Sequence, residues 1–202
     1  MNGVNEELPK LMVDDSEKDG KAEIVMDYVL SWCLRRADVI CRGEKPVLYN
    51  YCRQMLGILL GIAVNDDTLF RNVRVRKERQ QIDLWVELEV DLLGEVTKHA
   101  ILIENKYYTA LHDSTDEDGE KRNQLVVYKK RFDKHYDSQP DTWQRHYALI
   151  VCISREDAKF AQYLIAPSLG YKLLSFYELL GDENDGYVYS ESDIFNEFWL
   201  RW

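Results

Sequence analysis

Residues 81–106 read QIDLWVELEVDLLGEVTKHAILIENK and contain two runs of strict two-residue alternation. Ile82, Leu84, Val86, Leu88 and Val90 fall on one face, with Asp83, Trp85, Glu87 and Glu89 on the other. In the second run Ile101 and Ile103 share a face with Asn105, while Leu102 shares the opposite face with Glu104 and Lys106. Apolar and polar residues that alternate in this way belong to half-buried strands, so the stretch predicts a β-hairpin. A pivot between Leu93 and Gly94 sets Leu84 against Ile103, Val86 against Ile101 and Glu89 against Lys98, all favourable cross-strand pairs. The same register sets Asp83 against Glu104, with their Cβ atoms roughly 5 Å apart. Two opposed carboxylates repel unless something positive lies between them. With Lys106 further along the face of Glu104, the three residues predict a divalent-metal site with an ammonium beside it.

Working outward, Val73 and Val75 alternate with Asn72, Arg74 and Arg76, so residues 71–79 predict a third strand and an antiparallel meander. Upstream, Ile24, Val25, Tyr28, Val29, Trp32 and Cys33 recur at helical spacing over residues 21–36. Pro46 suits the first turn of a second helix that Gly61 would stop. Downstream, residues 107–119 have no periodicity and predict a mobile loop. Leu125, Tyr128, Phe132 and Tyr136 form the stripe of a helix over residues 121–136. The unbroken apolar run 146–154 predicts a central strand covered on both faces. A helix over 156–165, a short strand over 172–175, a helical turn over 176–180 and an aromatic-rich helix over 193–202 complete the order. This is an α/β arrangement, a mixed sheet flanked by helices, in one domain over residues 21–202. Residues 1–20, polar and acidic, predict a loosely ordered tail.

Composition narrows the function classes. The hydrophobic fraction of 46% and charged fraction of 31% suit a soluble globular protein. No apolar run reaches the length of a membrane span, and the opening MNGVNEELPK lacks signal-peptide character. Cys33, Cys41, Cys52 and Cys152 show no metal-ligand spacing and imply a reducing compartment, so cytoplasmic localisation and no membrane association are expected. A net charge of −10 argues against a passive nucleic-acid-coating protein. Cations nevertheless cluster over residues 71–79 and 121–134, which flank the predicted site.

Ile82-Asp83, then Ile103-Glu104-Asn105-Lys106, then Gln124 and Tyr128 on the next helix, resemble the PD-(D/E)XK nuclease superfamily. The likeness is to its uncharacterised members with IENK and QxxxY motifs. The resemblance covers roughly residues 20–180 in architecture and a handful of positions in motif; Ile82 stands where the name has proline. It implies a restriction-endonuclease-like fold and a Mg²⁺-dependent phosphodiesterase acting on nucleic acid, DNA ahead of RNA, with Mn²⁺ as a substitute metal. It further implies Asp83, Glu104 and the backbone carbonyl of Asn105 as metal ligands. Lys106 would orient or deprotonate water and stabilise phosphorane charge. Gln124 would position water or phosphate, and the family's first-helix carboxylate would be Glu23. The alternative is a catalytically inactive module of the same fold that binds nucleic acid or protein.

Each residue also has a bland reading. Asp83 and Glu104 would be solvent-facing strand carboxylates, and Lys106 a surface lysine. Tyr128 would be core, with Gln124 pairing locally, and Glu23 a solvated helix residue. Arg74, Arg76, Lys129, Lys130 and Arg131 are candidate phosphate contacts or simply a solvated face. Trp85 suits packing better than base stacking, and the four histidines share no ligand spacing. The acidic run 113–120 would be a solvated loop, a lid or an electrostatic guard. Phe195, Phe198, Trp199 and Trp202 would build a homodimer interface or dock on their own domain.

Overall fold

The computed structural model of the chain describes residues 22–181 and 187–200. The tail over residues 1–20 and the last two residues of the expected C-terminal helix lie outside them. The alternating stretch folds as predicted: β1 (Thr68–Arg79), β2 (Ile82–Leu92) and β3 (Glu95–Lys106) form an antiparallel meander. Leu93 and Gly94 take left-handed φ values of 54° and 91°, the two-residue hairpin turn whose twist matches its strands. That turn sets Leu84 against Ile103, Val86 against Ile101 and Glu89 against Lys98.

The sheet runs on through β6 (Trp143–Val151) and β7 (Lys172–Ser175), both parallel to β3, in the order β1-β2-β3-β6-β7. Helices α1 (Ala22–Arg36) and α2 (Pro46–Leu60) cover one face with a core that includes Leu84, Val86, Ile101 and Ile103. Pro46 opens α2, and Gly61, left-handed at φ 72°, ends it. Helix α3 (Gln124–Asp137) covers the other face around Trp85, Leu102, Phe132 and Leu149. The protein is therefore α/β, a mixed five-stranded sheet between helical layers.

Several expectations need correction. Residues 107–119 do not form a featureless loop, and α3 does not begin at residue 121. Instead β4 (Asp113–Thr115) pairs with β5 (Lys121–Asn123) in a small separate hairpin. Asn123 caps α3 by accepting from the Leu125 amide at 2.9 Å, which delays the helix start. Ile82 leaves the face of Leu84 and packs on the α3 side, because left-handed Glu78, Gln80 and Gln81 interrupt the pleat where β2 begins. Residues 156–165 form no α-helix; the segment Ala158–Tyr163 is a 3-10 turn. The aromatic C-terminus is one short helical turn, Asp193–Phe195, continued in π geometry over Asn196–Leu200. Phe195, Phe198 and Trp199 are buried in the chain's own core, with Trp199 stacked on Phe176 at 3.9 Å. These three rings present no dimer surface.

The two histidines on β3 and β6 are not independent. His99 Nδ1 lies 3.0 Å from His146 Nε2, and the Thr97 hydroxyl lies 2.8 Å from His99 Nε2. One ring must accept while the other donates, which requires at least one of them neutral. Burial, and secondarily His146, lowers His99 from 6.5 to about 4. Between those values the unfolded chain binds more protons than the folded one, so stability falls as pH drops through the window. In thermal melts from pH 6.5 down to about 4, wild type is expected to lose stability relative to His99→Gln, the carboxyls raised elsewhere in the fold contributing equally to both. A wild-type-minus-variant difference that does not change with pH over that range would refute the assignment.

Candidate active site

The ends of β2 and β3, the first turns of α1 and the start of α3 converge on one cluster of carboxylates. The hairpin register, continued one pair beyond Leu84 and Ile103, sets Asp83 beside Glu104. Asp83 Oδ2 accepts from the Asn105 amide at 2.8 Å, which ties the side chain of one strand to the backbone of the next. Glu104 Oε1 accepts from Lys106 Nζ at 2.8 Å and also from the Gln124 carboxamide. Glu104, Lys106 and Gln124 are 2, 5 and 0% exposed, so Glu104 is no solvent-facing carboxylate and Lys106 no surface lysine. Gln124 points into the cluster, and its own Oε1 accepts from the His112 amide at 3.0 Å. Tyr128, one turn on, is core with its hydroxyl hydrogen-bonded to Ser114.

Helix α1 contributes a residue that the sequence reading missed. Glu23, the expected carboxylate, accepts from the Tyr107 amide at 2.8 Å and from the Thr109 hydroxyl, and so anchors the chain leaving β3. Asp27, one turn later on the same helix face, accepts from Asn105 Nδ2 at 2.5 Å. Asn105 thus clasps both aspartates, Asp83 through its backbone and Asp27 through its side chain. The i to i+4 spacing of Glu23 and Asp27 was the available signal. Lys77 on β1, also unanticipated, lies close enough to pull the Asp27 pKa down against burial, and its ammonium sits 2.9 Å from the Tyr28 ring centre.

The electrostatics follow from crowding. Burial first, then Asp83, pushes Glu104 up to about 8 against the counterpull of Lys106. Burial and Asp83 push Asp27 up to about 7, and burial raises Asp83 itself. Burial alone would lower Lys106, but Glu104 and Asp83 outweigh it and hold the ammonium above its ordinary value. Asp27, Asp83 and Glu104, with Glu23 beside them, outnumber the ammonium groups of Lys106 and Lys77 and leave excess negative charge, which either protons or a cation would relieve.

The donor set suits a hard cation. Glu104 Oε2 and Asn105 Oδ1 are buried and accept from no protein N–H or O–H, although the carboxyls of Glu104 and Asp83 meet closely enough to share a proton, and both atoms are hard oxygen donors. Among the described residues no group of three or more Asp, Glu, His or Cys side chains is gathered closely enough to hold a metal. Mg²⁺ does not need one, since it usually keeps several waters and takes only one or two carboxylates.

Four of the five remaining candidate cations already have partners. Arg76 meets Glu87 at 3.2 Å, and Lys129 donates to the Leu169 carbonyl at 3.1 Å. Lys130 meets Asp118 at 3.2 Å, and Arg131 donates to Gln81 Oε1 at 2.8 Å. Arg74, exposed on β1, lies opposite Glu87 in the register.

Fold and site together define an α/β protein with a buried acid, acid and lysine cluster at the end of a central hairpin. The chain matches no protein-family model, no curated protein and no solved structure. Among the described residues no helix is long and apolar enough to cross a membrane.

Proposed function

We propose that this protein is a Mg²⁺-dependent phosphodiesterase of nucleic acid with a restriction-endonuclease-like fold, DNA being the preferred substrate and Mn²⁺ an alternative metal. One observation carries the reading: Asp83 and Glu104 lie side by side in the cluster, with Lys106 in contact with Glu104 and one oxygen of Glu104 accepting from no N–H donor. Asp83 and Glu104 would hold the ion; when bound, it would polarise water and neutralise charge building on the phosphoryl group. Lys106, in contact with Glu104 at 2.8 Å, orients or helps to deprotonate the water and stabilises anionic oxygen. Gln124 fixes the orientation of Glu104 through its carboxamide, and Asn105 holds Asp83 and Asp27 in place.

A metal titration tests the binding half of this proposal. Because Glu104 must lose the proton that its pKa of about 8 favours, Mg²⁺ affinity is expected to rise as pH approaches 8, with protons released on binding. At a tenfold excess over Kd, Tm is expected to rise by about 3–5 °C. No metal-dependent shift at millimolar Mg²⁺ or Mn²⁺ would support the second reading, a catalytically inactive module of the same fold that binds nucleic acid or protein. One feature favours that reading: Lys106 and Gln124 already occupy Oε1 of Glu104. Cleavage of DNA in Mg²⁺, absent in EDTA and absent in Lys106→Ala, decides between them.

A further inference from the structure

The acidic run between β4 and β5 is a built hairpin tip pressed against the cationic face of α3. Asp116 Oδ1 accepts from the amides of Asp118 and Glu120, each at 2.9 Å, and Arg122 meets its other oxygen at 3.0 Å. That internal staple turns the two adjacent acids, Glu117 and Asp118, toward the helix. Glu117 meets Lys134 at 2.6 Å, Asp118 meets Lys130 at 3.2 Å, and Arg131 donates to the Thr115 carbonyl at 2.9 Å. Lys130 and Lys134, four residues apart, share one helix face, so consecutive anions of the hairpin lie along a row of cations.

Both ion pairs are exposed, and exposed pairs contribute little to folding. The same cations would interact with successive phosphates of a nucleic-acid backbone. The root of the hairpin is joined to the site: His112 and Gln124 exchange backbone and side-chain hydrogen bonds at 3.0 Å, and Gln124 reaches Glu104. Lifting the hairpin would therefore change what holds the orientation of Glu104.

We propose that the Lys130, Arg131 and Lys134 face of α3 is a track for a nucleic-acid backbone. The hairpin tip at Glu117 and Asp118 occupies it as an internal competitor that bound phosphates displace. The proposal rests on the nucleic-acid reading above but not on catalysis. A short fluorescent DNA duplex, titrated in EDTA and low salt, measures binding apart from cleavage. The double variant Glu117→Gln/Asp118→Asn is expected to bind about 3- to 10-fold more tightly than wild type, since two competing exposed pairs are removed. Asp66→Asn/Asp67→Asn, an equal charge change on exposed residues of the loop between α2 and β1, controls for net charge and is expected to change affinity less than about 2-fold.

In the hairpin-neutralised background, Lys130→Ala/Lys134→Ala is expected to abolish the gain. All four proteins differ only at exposed polar side chains, and circular dichroism checks their folding. Equal gains in the two neutralised variants, a gain that survives loss of both lysines, or no DNA binding by any form would overturn the proposal. DNA binding with these differences but no cleavage in Mg²⁺ would overturn the catalytic reading alone.

Discussion

If the proposed function holds, replacing Glu104 with glutamine is expected to lower Mg²⁺-dependent cleavage on the order of 10³-fold or more, because loss of the proposed metal ligand removes several kcal/mol of transition-state stabilisation. The same substitution is expected to leave the metal-free protein at least as stable as wild type at alkaline pH. Glu104 holds its proton up to about 8 in the fold and to 4.5 ordinarily, so the folded chain binds more protons across that window. The contribution of Glu104 to wild-type stability therefore falls as pH rises through it. Glutamine has the same shape, retains an oxygen that can accept from Lys106, and removes the repulsion with Asp83. Cleavage assays and thermal melts on one preparation separate chemistry from unfolding. Wild-type activity in this variant would sink the proposed function. A Tm well below that of wild type near pH 8 would sink the account of the cluster's electrostatics.

Trp85→Ala is expected to be the most destabilising single truncation on the α3 side of the sheet. The indole is fully buried, lies 4.6 Å from Phe132 between ring centres, and donates from Nε1 to the Tyr136 hydroxyl at 2.7 Å. Arg79 lies over its face at 4.1 Å. Loss of a large core aromatic costs about 3–5 kcal/mol. For a domain of this size, that lowers Tm by roughly 6–20 °C. Trp85→Phe keeps most of the volume and removes the hydrogen bond, so a smaller loss of about 1–2 kcal/mol is expected. Because α3 carries Gln124 into the cluster, the alanine variant is also expected to lose activity below its own melting range. A chemical denaturation midpoint near that of wild type for Trp85→Ala would overturn this packing account.

The central hairpin was legible because its determinants are local. Alternation assigns faces and a two-residue turn sets register, so Asp83 beside Glu104 follows from residues within one short stretch. Pro46 and Gly61 bounded α2 for the same reason, each acting through its own backbone. The alternation failed at Ile82, where consecutive left-handed residues break the pleat without any apolar signal. It failed again at residues 113–123, where polar side chains rather than a buried stripe hold a hairpin together.

The sequence by itself determined the meander, the pairing of the two strand carboxylates and the helix that carries Gln124. Only the tertiary structure decided that Asp27 rather than Glu23 joins Asn105, because one helical turn separates them and the seating of α1 on the sheet selects between them. It also decided that Glu117 and Asp118 lie against Lys134 and Lys130, and that the C-terminal rings close the core. Those outcomes depend on how helices dock across the sheet, which the spacing of residues within one element does not encode.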